Sequence, residues 1–142
     1  MPNRHTICIF ALALILLAGC QSRGQDSRAQ LARDIAGQAG LLEQVLEAPP
    51  FRLTSFARIE KPGSSARVYI EGDGLAWLGK RRMSLDPTPT DPIALRLAVT
   101  DDSANIIYLA RPCQYSGWTD AGACPSKYWT SHRFASEYLA GS

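Results

Sequence analysis

An α/β fold built on a partial sheet, with antiparallel strands first and a strand–helix–strand unit after them, is predicted by three features of this 142-residue chain. Phe51, Leu53, Ala57 and Ile59 alternate with Arg52, Thr54 and Arg58, the period of two expected of a strand with one wet face. Asn105-Ile106-Ile107-Tyr108-Leu109-Ala110 is a continuous apolar run, which suits a strand covered on both faces of a parallel sheet. Between these segments Asp91 can cap a helix, Pro92 can occupy its first position, and Ile93, Ala94, Leu97 and Ala98 share one face.

The chain begins with Arg4 and His5 ahead of an uninterrupted apolar run over 7–17, long enough for the core of an export signal and too short to span a bilayer. Leu17-Ala18-Gly19-Cys20 follows and resembles the bacterial lipobox. That resemblance implies cleavage before Cys20 and acylation of its thiol and new amino group. Several acyl chains, at about 0.8 kcal/mol per buried CH₂, give lasting attachment where one is marginal. Gln21 stands where an aspartate would retain such a protein at the inner membrane, so the expected location is the periplasmic side of the outer membrane. The competing readings are an ordinary secretory signal with a chance cysteine and an uncleaved apolar helix. Residues 1–19 are thus assigned to the signal, 20–50 to a tether and amphipathic helix, and 51–142 to the folded domain.

With 46% hydrophobic and 20% charged residues, what remains after the signal fits one small globular domain. A net charge of +2, with basic residues scattered apart from Lys80-Arg81-Arg82, gives no basis for nucleic-acid binding. The basic triplet reads as a solvated face, although near anionic headgroups each such side chain adds roughly 1 kcal/mol.

Once Cys8 leaves with the signal and Cys20 is lipidated, Cys113 and Cys124 remain in an oxidising compartment and are expected to pair as a disulfide. The alternative, a metal site, would need more ligands than two cysteines and His132 supply, so neither a metal nor a cofactor is expected.

Taken in order, Leu31, Ile35, Leu42 and Leu46 recur at helical spacing over 27–47, with Ser27 as N-cap and Pro49-Pro50 as the stop. The strand at 51–59 leads to a turn at Lys61-Pro62-Gly63-Ser64-Ser65. A second strand, Val68-Tyr69-Ile70, breaks off at Glu71-Gly72-Asp73-Gly74. These two strands are expected to form the antiparallel opening of the sheet. The proline-dense Asp86-Pro87-Thr88-Pro89-Thr90-Asp91-Pro92 leads into the helix, and the apolar strand runs out through Arg111-Pro112 into the cysteine loop and an aromatic-rich end. Ser136 and Glu137 resemble a helix start.

Three segments in this order, Val68-Tyr69-Ile70-Glu71-Gly72-Asp73-Gly74-Leu75-Ala76-Trp77, the proline stretch, and Tyr108-Leu109-Ala110-Arg111-Pro112-Cys113-Gln114-Tyr115, are similar to a group of bacterial α/β-hydrolase-like lipoproteins, with Tyr128-Trp129-Thr130 continuing the likeness. The resemblance implies a partial α/β-hydrolase-like sheet. It makes the glycine-flanked loop Gly72, Asp73 and Gly74 the candidate oxyanion donor, because a missing Cβ lets the backbone approach a substrate oxygen. The plan also requires a Gly-x-Ser-x-Gly elbow, then an acid, then a histidine, and this sequence has no such elbow. Gly63-Ser64-Ser65-Ala66-Arg67 precedes a strand instead of following one, and His132 lies ahead of where the elbow belongs. The expectation is the front portion of an acyl-ester hydrolase, inactive alone. The alternative is a small non-enzymatic envelope lipoprotein holding a protein partner with its aromatic end.

Overall fold

The computed structural model describes residues 27–115 and 124–134. The export signal, Cys20, Trp118 and the helix start at Ser136 and Glu137 lie outside them. Helix α1 runs over 27–38, followed by strands β1 (Leu42–Ala48), β2 (Phe51–Ile59) and β3 (Arg67–Ile70), helix α2 (Ile93–Val99), strand β4 (Asn105–Leu109) and a 3₁₀ turn at Ser126–Trp129. The strands form one mixed sheet in the order β1-β2-β4-β3. β2 is antiparallel to both of its neighbours, and β3 and β4 are parallel.

The helix expected over 27–47 ends early, and the remainder is β1. Gly40, at φ +68°, turns the chain out of the helix. The Leu41 N–H donates to Ala36 O and the Gly40 N–H to Gly37 O, the two bonds of a Schellman stop. Leu42 and Leu46 satisfy helical spacing, but both are even-numbered and so equally share one side of a strand. Pro49-Pro50, joined by a cis bond, makes the turn of the β1–β2 hairpin.

β2 and β3 are the expected strands but not the expected pair, since β4 lies between them. The strand–helix–strand unit is present as β3-α2-β4, and α2 carries the chain back so that β4 aligns parallel to β3.

The hydrophobic core sits between one sheet face and the two helices. Ala32, Ile35 and Ala36 of α1 and Leu95 and Ala98 of α2 pack against Phe56, Ile106 and Tyr108. Two sequence expectations are corrected here. In β2 the helix-covered face is the one carrying Thr54, Phe56 and Arg58; Phe56 is 2% exposed, whereas Ile59 is 47% exposed. Arg58 is accommodated because its guanidinium donates to the carbonyls of Ala39, Asp101 and Ser103, acceptors left over where both helices end. In α2 the buried pair is Leu95 and Ala98, while Ile93 and Leu97 face outward. Asp91 pairs with Arg96 at 2.5 Å and gives α2 no side-chain cap.

The other sheet face is largely apolar; among the described residues it is exposed along the edge strands, while Phe51, Ser55 and Ala57 of β2 are buried. Leu42, Ala57, Ile107 and Val68 align in register across all four strands, and Leu42, Val68 and Ile70 are exposed. Among the described residues β4 is therefore covered by helices on one side, where the sequence suggests both.

Asp101 closes α2 against the sheet. Its carboxylate accepts from Ser103 N at 2.8 Å, Tyr69 Oη at 2.6 Å and Arg67 Nη1 at 3.0 Å. Ser103 first, then Tyr69, holds this carboxyl well below its usual range. A folded value depressed below the unfolded one of about 4 contributes stability that is present above that pH and is lost as pH falls beneath it. Urea midpoints measured between pH 6 and 3 should fall in the native chain, and the fall should be shallower in Asp101→Asn.

Candidate functional site

Parallel strands end together, so the loops following β3 and β4 meet at one edge of the sheet, where α/β proteins place their ligands. The missed strand β1 also makes β3 the third strand among the described residues, and the 71–74 loop therefore follows a third strand.

Glu71 opens this loop, and its carboxylate is buried. It accepts from Gly72 N–H at 2.9 Å, Ala94 N–H at 3.5 Å and Tyr108 Oη at 3.1 Å, tying the loop to α2 and β4. Burial, then the neighbouring Tyr115 and Glu71, pushes the Tyr108 phenol far up. Burial likewise pushes Tyr115 up to about 12, so both phenols stay protonated at neutral pH.

Gly72, Asp73 and Gly74 are exposed to solvent. Among the described residues the N–H groups of Asp73 and Gly74 have no hydrogen-bond acceptor, two successive amides free to meet a ligand oxygen. The two glycines have different reasons for being there. A Cβ on Gly74 would lie 2.1 Å from Pro87 O and 2.8 Å from Gln114 Nε2, at φ +59°, so this position admits glycine alone. A Cβ on Gly72 would meet nothing within 4 Å. Gly74 lets the 71–74 loop press against the proline stretch, and Gly72 leaves open space above the loop.

Asp73 holds the loop from outside. Its carboxylate accepts from Arg111 Nη1 at 2.5 Å and from Arg133 Nη1 at 2.6 Å, joining three chain segments. Both guanidinium groups lie over Phe134, at 5.9 and 5.3 Å from the ring centre.

Beneath the loop, Gln114 is almost wholly buried. Its Nε2 donates to Gly72 O at 2.9 Å and its Oε1 accepts from Arg111 N–H at 3.0 Å, bridging the two strand-end loops. The flanking Cys113 and Tyr115 adopt left-handed backbone, φ 72° and 59°, at a cost of roughly 1–3 kcal/mol each. Three restraints hold them there: the Gln114 bridge, the Cys113–Cys124 disulfide, and Tyr115 N–H donating to Thr88 Oγ1 at 2.9 Å. The expected disulfide is present, with the two Cα atoms 5.5 Å apart. Glu71, Arg111, Gln114 and Arg133 were not singled out from sequence. The signal available was polar residues set immediately after two strand ends.

A cleft of about 390 Å³ runs from Glu71, Gly72 and Gly74 past Pro89 to Ile93 and Leu97 of α2. Gly72 and Gly74 line one end and the exposed side chains of Ile93 and Leu97 the other, which suits a ligand that joins a polar group to a hydrocarbon portion.

His132 is exposed, and its Nδ1 lies 2.8 Å from Ser131 Oγ. A catalytic triad sets the serine on Nε2 and the acid on Nδ1. Here the serine takes Nδ1, and among the described residues no carboxylate bonds the ring, so the contact is a local one between sequence neighbours. Among the described residues no group of three or more His, Cys, Asp and Glu side chains is arranged to hold a metal, and no helix is long and apolar enough to cross a membrane. In comparisons with protein families, curated proteins and solved structures, the chain matched none.

Proposed function

We propose that this chain is a lipid-anchored protein of the bacterial envelope, facing the periplasm, whose folded part is the first section of an α/β-hydrolase-like sheet. In this reading it contributes the oxyanion half of an acyl-ester hydrolase site and turns over no ester by itself. One observation carries the proposal: a loop after a third strand, at the C-terminal edge of a parallel pair, presents two successive amides without internal acceptors. The α/β-hydrolase plan draws an oxyanion donor from that position, and such a donor is worth about 2.7–4 kcal/mol of transition-state stabilisation. Among the described residues the cradle has no attacking hydroxyl with its base, and the 142 residues contain no Gly-x-Ser-x-Gly to supply one.

The acylated protein should release no p-nitrophenol from acetyl, butyryl or octanoyl esters above the buffer rate. Turnover abolished by Ser131→Ala or His132→Ala would overturn this reading. Genomic sequence downstream of the codon for Ser142 should encode an elbow followed by an acid and a histidine, and its absence in all frames removes the hydrolase ancestry. Mass spectrometry should find acyl groups on Cys20, absent from Cys20→Ala.

The apolar sheet face, exposed along its edge strands among the described residues, favours a second reading, a non-enzymatic lipoprotein that buries this face against a protein partner. A cooperative, monomeric thermal transition in the purified chain supports that reading, whereas a loose or aggregating chain supports the first.

A further inference from the structure

Residues 76–84 fold back on themselves as a small projecting hairpin. Ser84 N–H donates to Ala76 O at 2.9 Å, Leu78 N–H to Arg82 O at 2.8 Å, and Trp77 bridges Met83. Its base is anchored, because Ala76 and Ser84 are buried and Ser84 O accepts from Trp129 Nε1 at 3.2 Å. Its tip carries Lys80, Arg81 and Arg82, all exposed. Along its flanks Trp77 is 49%, Leu78 47% and Leu85 63% exposed, which leaves three large apolar side chains in water beside three cations.

The start of α1 lies on the same side. Arg28, in the first turn of α1, forms an ion pair with Asp86 and donates to Thr88 O at 2.6 Å, so α1 begins beside the segment that follows the hairpin. Cys20 precedes Ser27 by seven residues, which however arranged reach at most about 25 Å. A bilayer holding Cys20 therefore lies within that distance of the hairpin's side of the domain.

We infer that the hairpin over 76–85 is a membrane-contact surface, on which Trp77, Leu78 and Leu85 enter the interface of an anionic phospholipid bilayer and Lys80, Arg81 and Arg82 meet its phosphates. The inference rests on the lipid anchor proposed above. The chemistry fits: tryptophan prefers the headgroup level, where its ring is apolar and its N–H stays wet. Basic side chains gain only within about a Debye length of the surface, roughly 8–10 Å, and a tether of at most about 25 Å leaves the tip free to come that close. A lipid interface accounts for both halves of the hairpin, whereas a solvated face explains only the cations.

The test uses the acylated protein reconstituted into vesicles of phosphatidylglycerol mixed with brominated phosphatidylcholine, or of brominated phosphatidylcholine alone. Trp77 fluorescence should be quenched in the anionic vesicles and recover in high salt, and Trp77→Phe should remove the quenched component. Neutralising the tip (K80Q, R81Q and R82Q together) should lower the quenching at least about threefold. If the protein floats with vesicles and carries acyl mass on Cys20 yet Trp77 is unquenched, the hairpin inference is wrong and the anchor stands. If neither acyl mass nor flotation is found, the anchor fails and the inference falls with it.

Discussion

Gly74→Ala should destabilise the domain by about 3 kcal/mol or more, and Gly72→Ala by less than about 1 kcal/mol. The Gly74 change sets a methyl group 2.1 Å from a backbone carbonyl, an atom that cannot swing aside, at a backbone angle of φ +59°. Overpacking of that kind costs roughly 1–3 kcal/mol, and a left-handed alanine adds about 1–2 kcal/mol. For a domain of this size 1 kcal/mol moves Tm by roughly 4–8 °C, so the two variants should differ by more than about 10 °C in a thermal melt. Equal melting temperatures would mean that the 71–74 loop does not press on the proline stretch as described. The contrast also separates roles. Gly72→Ala leaves the fold intact while placing a methyl group in open space on the loop, and so isolates any part this loop plays in binding.

Gln114→Met should cost about 1–3 kcal/mol in urea denaturation at pH 7. Methionine nearly matches glutamine in volume, so cavity formation contributes little. The loss instead comes from the part-buried hydrogen bonds to Gly72 O and from Arg111 N–H, which disappear together and are worth about 0.5–1.5 kcal/mol each. The left-handed residues on either side of Gln114 also lose the side chain that holds them, so the two strand-end loops should separate. A Cβ at position 74 would lie 2.8 Å from Gln114 Nε2, which makes the two sites neighbours. In the double variant the effects should therefore fall short of additivity by at least about 0.5 kcal/mol. Strict additivity would show that the loops are held independently.

The elements that could be read from the sequence are those whose determinants are local. The strand at 51–59, the turn at Lys61 to Ser65, the short strand ending at Glu71 and the apolar strand from Asn105 follow from period, turn chemistry and abrupt changes of polarity. Cys113 and Cys124 could be paired because reading Cys8 as part of a signal and Cys20 as lipidated leaves these two. The loop Gly72, Asp73 and Gly74 was found by its glycines and its place in the order of segments.

What the sequence left open depends on which side of an element meets which neighbour. Leu42 and Leu46 carry no local mark separating strand from helix; the Schellman stop at Gly40 and pairing with β2 decided it. The alternation in β2 divided its residues into two sets but did not say which set the helices cover, and the set containing Arg58 is covered because helix-end carbonyls receive its charge. Ile93 and Leu97 look like a buried stripe, yet Leu95 and Ala98 fit the sheet. By itself the sequence determined the class of fold, the strand ends and the glycine loop, since propensity and turn chemistry act within a few residues. Only the tertiary structure decided strand order, packed faces and the partners of Asp73 and Gln114, because these contacts join residues some forty to sixty positions apart.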